Sequence, residues 1–171
     1  MKNGAASEAA NSKPQVRMKI LRQFVRDLSF ENVVGVESPA NPSQPNISVQ
    51  VGLDAQKTSA ENQYSVSVKL NIKSTAKEGD DNLFLMELDY VGLFEIEGVD
   101  EPRMHPFLLI ECPRLLFPFV RRIVSDVTHD GGFPSLNLEN IDFAKIYSDE
   151  VQRRRAAADD QPASSAEDTN N

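Results

Sequence analysis

Three segments of this chain alternate between apolar and polar residues, and a later stretch is apolar on nearly every face of a helix. Ile47, Val49, Val51 and Leu53 alternate with Ser48, Gln50, Gly52 and Asp54. Tyr64, Val66, Val68, Leu70 and Ile72 alternate with Ser65, Ser67, Lys69, Asn71 and Lys73. Phe84, Met86, Leu88 and Tyr90 alternate with Leu85, Glu87 and Asp89. An extended chain points successive side chains to opposite faces, so each segment reads as a strand with one buried face. Short polar connections, among them Gly79-Asp80-Asp81-Asn82, make an antiparallel meander the natural arrangement. Residues 16–30 carry two patterns: Val16, Met18 and Ile20 fit a strand, whereas Ile20, Phe24 and Leu28 fit a helical stripe. A strand with a bulge reconciles them, because one inserted residue flips the facing. The link 32–46, with Pro39, Pro42 and Pro45, reads as a long crossover loop.

After residue 104 the pattern changes. The stretch HPFLLIECPRLLFPFVRRIVSDVTHD suits a helix over about 107–124, with Pro113 near its start and Pro118 bending it. GGFPSLNLEN reads as a loop, and IDFAKIYSDEV as an amphipathic C-terminal helix anchored by Ile141, Ile146 and Tyr147. Strands first and helices afterwards indicate α+β: a four-stranded antiparallel sheet packed by a long helix and a C-terminal helix. The long helix has more apolar surface than one sheet can cover, so its remaining face should meet another copy of the chain. Phe119, Ile123 and Val124 are the candidate residues for that contact.

The ends differ from the middle. Residues 2–15 and 152–171 hold no Val, Ile, Leu, Met or aromatic residue, and all Phe and Tyr lie between Phe24 and Tyr147. Segments without bulky apolar groups cannot offset the entropy of ordering. The expected organisation is therefore a disordered tail over 1–15, one domain over 16–151 and a disordered tail over 152–171. The start lacks the apolar stretch of a secretory signal, and no run is long enough for a membrane span, so a cytoplasmic protein is expected. With 18 Lys plus Arg against 26 Asp plus Glu, the net charge of −8 disfavours nucleic acid and anionic membranes as partners.

Catalysis has few raw materials. One cysteine, Cys112, allows no internal disulfide, and with two histidines it cannot build a structural zinc site. Cys112 reads as a buried, inert thiol, and His105 and His129 as residues of helix boundaries. No phosphate-binding glycine loop, dinucleotide fingerprint or zinc-hydrolase motif is present. Neither catalytic residues nor a cofactor nor a metal is expected. The Arg153-Arg154-Arg155 run reads as a cationic helix end. Between Glu78 and Glu101 there are nine acids and no base, with Glu87 and Asp89 on one strand face. Such a face suits docking of a basic partner.

Three motifs, in order, resemble the SecB family of bacterial export chaperones. Arg22-Gln23-Phe24-Val25-Arg26-Asp27-Leu28-Ser29-Phe30-Glu31 is similar to its first strand and D-[IL]-S-F-E signature. Cys112-Pro113-Arg114-Leu115-Leu116-Phe117-Pro118-Phe119-Val120-Arg121 resembles the C-P-x-x-L-F-P-[YF]-x-R of its long helix. Gly132-Phe133-Pro134-Ser135-Leu136-Asn137-Leu138, then Ile141-Asp142-Phe143, resembles its G-x-F-P-x-L-x-L loop and last helix. The resemblance covers about residues 16–151. It implies a homotetramer, built as a dimer of dimers, that acts without ATP, holds unfolded precursor proteins and hands them to SecA. It carries SecA docking onto Asp27, Glu31, Leu85 and Glu87. Client-binding candidates are Val33, Val36, Phe133, Leu136, Leu138, Ile141 and Phe143, from the crossover loop, the glycine-containing loop and the last helix. Two rivals stand beside this reading: a SecB-like chaperone dedicated to another client, such as a toxin–antitoxin system, and a small-molecule enzyme on an α+β sheet.

Overall fold

The computed structural model describes residues 15–35, 44–77 and 81–159. Four strands, β1 (Arg17–Asn32), β2 (Asn46–Lys57), β3 (Gln63–Thr75) and β4 (Asn82–Glu97), form one antiparallel sheet in the order β1-β4-β3-β2. Strands β2 to β4 make the expected meander, and β1 lies against β4. The first and second strands are thus opposite edges, consistent with a crossover connection, of which 36–43 lie outside the described residues.

The double pattern in β1 has the anticipated cause. Its register with β4 shifts between Ile20 and Arg22 and again between Val25 and Asp27, so Leu21 and Arg26 are bulge residues. Met18 and Ile20 point to the inner face of the sheet before the shifts, and Leu28 and Phe30 do so after them.

Helix α1 runs unbroken from Glu101 to Asp130, longer at both ends than the expected 107–124. Its start lies at Asp100, with Pro102 in the first turn and the Arg103 N–H on the Asp100 carbonyl at 2.9 Å. Pro106, Pro113 and Pro118 are all internal, so Pro113 does not mark a start. Each internal proline removes a helical donor and costs about 3 kcal/mol in an isolated helix. Packing reverses that balance here. Leu108, Cys112, Leu116, Val120 and Val124, one turn apart, are buried against Val66, Val68 and Leu70 of β3 and Met86, Leu88 and Phe94 of β4. Each such side chain contributes roughly 1.5–3 kcal/mol on burial.

The end of α1 is tied down by Thr128. Its buried hydroxyl donates to the Val124 carbonyl at 2.8 Å and accepts the Leu136 N–H at 2.9 Å, fastening the loop to the helix. Phe133 from that loop packs on Phe84 and Phe30, with ring centroids 4.9 and 6.3 Å away.

Helix α2 spans Phe143–Asp159, so 152–159 continue the helix rather than belong to a tail. The arginine run is therefore mid-helix: Arg153 and Arg154 pair with Glu150 at 2.7 and 2.9 Å, a turn earlier. Spacings of three and four residues bring such side chains together. Residues 1–14 and 160–171 lie outside the described residues.

Cys112 is fully buried, and burial pushes its thiol up to about 12. Native protein at pH 8 is therefore expected to resist iodoacetamide over hours, whereas denatured protein reacts in minutes. Mass spectrometry showing rapid alkylation of the native fold would contradict the packing of α1.

Candidate functional site

The sheet has two unlike faces. Helix α1 covers the inner face across β2, β3 and β4, and among the described residues no helix lies on the outer one. Directly opposed residues of an antiparallel pair share a face. Asp27 faces Asp89, Ser29 faces Glu87 and Glu31 faces Leu85 across β1 and β4. Asp27, Glu31, Leu85 and Glu87 thus converge on one patch of the outer face. The three acids are exposed and Leu85 is half-buried. Separated by as many as 60 residues of chain, they meet because β1 pairs with β4.

The acid run of the sequence is not acid throughout in space. Arg26, pushed out by the bulge, donates from Nε and Nη2 to Asp89 Oδ2 at 2.9 and 2.6 Å, and the Ser67 hydroxyl donates to Oδ1 at 2.5 Å. Lys19 stands opposite Glu95 and Arg17 opposite Glu97. Asp27, Glu31 and Glu87 make no ion pair among the described residues. Of the acids on this face, Asp89 is thus neutralised by Arg26, whereas the three acids at the anticipated docking positions are unpaired among the described residues.

The client-binding candidates do not form one surface. Leu136, Leu138 and Ile141 line an open groove of about 500 Å³ beside β2, whose other wall is Ile47, Val49 and Val51. Phe133 and Phe143 are buried, the first in the aromatic cluster and the second edge-on to Phe117 at 5.7 Å. Leu138 is largely buried at the groove floor, and Val33 is exposed at the end of β1. Val36 lies outside the described residues. The β2 wall was not singled out from the sequence. The signal was there: Ile47 and Val49 are inward-facing residues of an edge strand, each 37% exposed because α1 does not reach them.

Of the helix residues expected at a self-contact, Ile123 and Val124 are buried within the chain, Val124 completely. Phe119 is 40% exposed and Leu115, one turn earlier, 41%. Phe119 stacks on Tyr90 at 6.5 Å, and Tyr90 neighbours Val25 across the sheet. Val25 and Leu28 face inward from β1, yet both are exposed because α1 does not cover that edge. Val25, Leu28, Leu115 and Phe119 form one apolar patch around Tyr90, whose hydroxyl is pushed up by burial, partly offset by Arg122.

His105 lies within α1, its Nδ1 3.3 Å from the Tyr147 hydroxyl of α2, and His129 is exposed in the last turn of α1. The His105–Tyr147 contact walls a cavity of about 210 Å³ with Leu53, Leu109 and Ile146. The nearby Glu150 carboxyl is held low by the Arg154 hydrogen bond, so it serves the helix surface. Among the described residues, no helix is long and apolar enough to cross a membrane.

Comparison with known proteins agrees with this architecture. Residues 10–154 match the family described as Preprotein translocase subunit SecB. The protein-export protein SecB of Ruegeria sp. (strain TM1040) is 60% identical over 156 residues, covering 91% of this chain and 94% of that protein. The SecB of Ruegeria pomeroyi is 57% identical, covering 88% and 91%. That of Dinoroseobacter shibae is 54% identical over 96% of both. Among solved structures, a Mycobacterium tuberculosis SecB-like chaperone in complex with an antitoxin peptide superposes with a TM-score of 0.62. It is 15% identical and covers 73% of this chain and 91% of that one, a likeness of fold. With its bulged first strand, proline-studded long helix and glycine-containing loop all in the expected order, this chain belongs to the SecB family of protein-export chaperones, not to a family of enzymes.

Proposed function

We propose that the chain is a cytoplasmic, ATP-independent holdase that assembles as a homotetramer, binds unfolded precursors and docks on SecA through Asp27, Glu31, Leu85 and Glu87. The observation that carries this reading is the convergence of those four residues on an uncovered patch, on the sheet face opposite the groove.

Holding many unfolded sequences requires attraction that reads none of them. The groove walled by Ile47, Val49, Leu136 and Ile141 offers apolar surface at about 25 cal/mol per Å² of burial. The edge of β2, unpaired among the described residues, adds main-chain donors and acceptors that an extended segment of any sequence can pair with. Ordering a client costs roughly 1–2 kcal/mol per residue, so one such groove holds weakly. Four grooves in one assembly raise the effective concentration and retain the client. A folded protein hides both its apolar segments and its backbone, so it is passed over without a motif. Release needs no nucleotide site in this chain if SecA supplies the energy. The rival reading, a client drawn from a toxin–antitoxin pair, has support only from a 15% identical structure.

Charge reversal tests the docking assignment. Glu87→Lys, or Asp27→Lys with Glu31→Lys, should weaken SecA binding about tenfold or more at low salt, since repulsion replaces attraction. The difference should narrow as salt rises. Titration calorimetry with SecA and with a non-folding client separates the two surfaces. Unaltered SecA binding, or a parallel loss of client binding, would falsify the assignment.

A further inference from the structure

The docking patch is not bordered by acids alone. Across β4 and β3, Lys69 faces Asp89, Asn71 faces Glu87 and Lys73 faces Leu85. Lys69 and Lys73 therefore flank Glu87 diagonally on the same outer face, at the roughly 7–8 Å Cα separation of such neighbours. Both are exposed, and neither makes an ion pair among the described residues. A shallow groove of about 240 Å³ includes Lys73 but not Lys69, and is lined by Ser48, Gln50, Asn71, Lys73, Leu85 and Glu87. Leu85 gives it apolar surface, Glu87 an anionic group and Lys73 a cationic one, while Ser48 and Gln50 on β2 are neutral.

This arrangement restricts what can lie there. A segment that covers Leu85 and Glu87 also brings its own charges close to Lys73, which stands directly opposite Leu85. Burying an ammonium without an acceptor is costly, and placing a second cation beside it is worse. A uniformly basic partner would gain at Asp27, Glu31 and Glu87 and lose at Lys69 and Lys73. Asp89 does not relieve the problem on its side, because Arg26 and Ser67 already occupy both its oxygens.

We infer that the segment docking on this face is of mixed charge: an apolar side chain over Leu85, a basic group toward Glu87 and Glu31, and a carboxylate toward Lys73 and Lys69. The inference rests on the docking reading above and adds the acidic half of the partner. It also gives the interface a direction, since the segment turned end for end would set like charges together.

The test is the sign of one effect. The intact chain with Lys69→Glu and Lys73→Glu is titrated with SecA at low salt beside wild type and Glu87→Lys. A mixed-charge partner predicts that the lysine reversal weakens binding by about tenfold, in the same direction as Glu87→Lys. A uniformly basic partner predicts the opposite, tighter binding, because the face becomes more negative. The neutral pair Lys69→Gln and Lys73→Gln should lose less affinity than the reversal, and equal melting temperatures show the sheet intact. If Glu87→Lys weakens binding while the lysine reversal tightens it or leaves it unchanged, the inference is overturned and the docking reading stands. If Glu87→Lys has no effect either, both are overturned.

Discussion

Replacing Leu115 and Phe119 together by Asp should break the native assembly into smaller species while leaving each protomer folded. Light scattering on the wild type is expected to report four times the 19.0 kDa chain mass at micromolar concentration, and on the double variant half of that or less. The cause lies in what α1 leaves uncovered. Leu115 and Phe119 point away from the buried row Cys112, Leu116 and Val120, so a carboxylate there meets water in a lone protomer. With Val25 and Leu28 they form an apolar patch that a monomer would have to expose. In the proposed assembly a second copy covers it, and in a symmetric contact each change appears on both sides. An unpaired charge in such an interface costs several kcal/mol, and the symmetric partner's charge adds repulsion. Circular dichroism should be unaltered, since no core residue changes. A wild type that scatters as a compact monomer, or a variant of undiminished mass, would remove the proposed assembly.

The same contrast between inward and outward helix residues shows how far the sequence could be read. Alternation places β2, β3 and β4 because each has one face against α1. The two patterns in β1 announce its bulges because a flip in facing leaves a trace in the order of apolar residues. The docking patch is legible only partly. Its residues are put forward by the family resemblance as expectations, but their meeting depends on the pairing of β1 with β4, which alternation does not specify. Burial within the long helix is less legible still. Where nearly every face is apolar, periodicity cannot tell Val124, wholly buried, from Phe119, which is exposed. Prolines mislead for a related reason: their cost is local, while the packing that offsets it joins residues far apart in the chain. The arginine run misleads in the opposite way. Its three charges suggest a helix end, yet Glu150 one turn earlier pairs with Arg153 and Arg154 within the helix. Nothing in the sequence marked Thr128, because a buried hydroxyl that fastens a loop looks like any other Thr.

Gly92 was equally silent, and it carries the largest expected loss of stability. It lies on the inner face of β4, opposite Gln23 and Val66, where α1 crosses the sheet. A Cβ built there would stand 2.7 Å from Leu116 Cδ2 and 2.6 Å from Phe94 Cε2. Both side chains are wholly buried, so neither can swing aside into solvent. The missing side chain is thus the socket that lets Leu116 reach the sheet. Gly92→Val should lower stability by about 3 kcal/mol or more, at the upper end of what overpacking costs. Lifting α1 at Leu116 would also shift Leu115 and Phe119 beside it, so the assembly should weaken along with the fold. Gly92→Ala, with one methyl group, should cost less and keep more of the assembly. Denaturant titration of the two variants, read beside light scattering, checks the order. A valine variant as stable as wild type would mean that α1 does not sit on β4 at this point, and that the crossing of helix and sheet is differently placed.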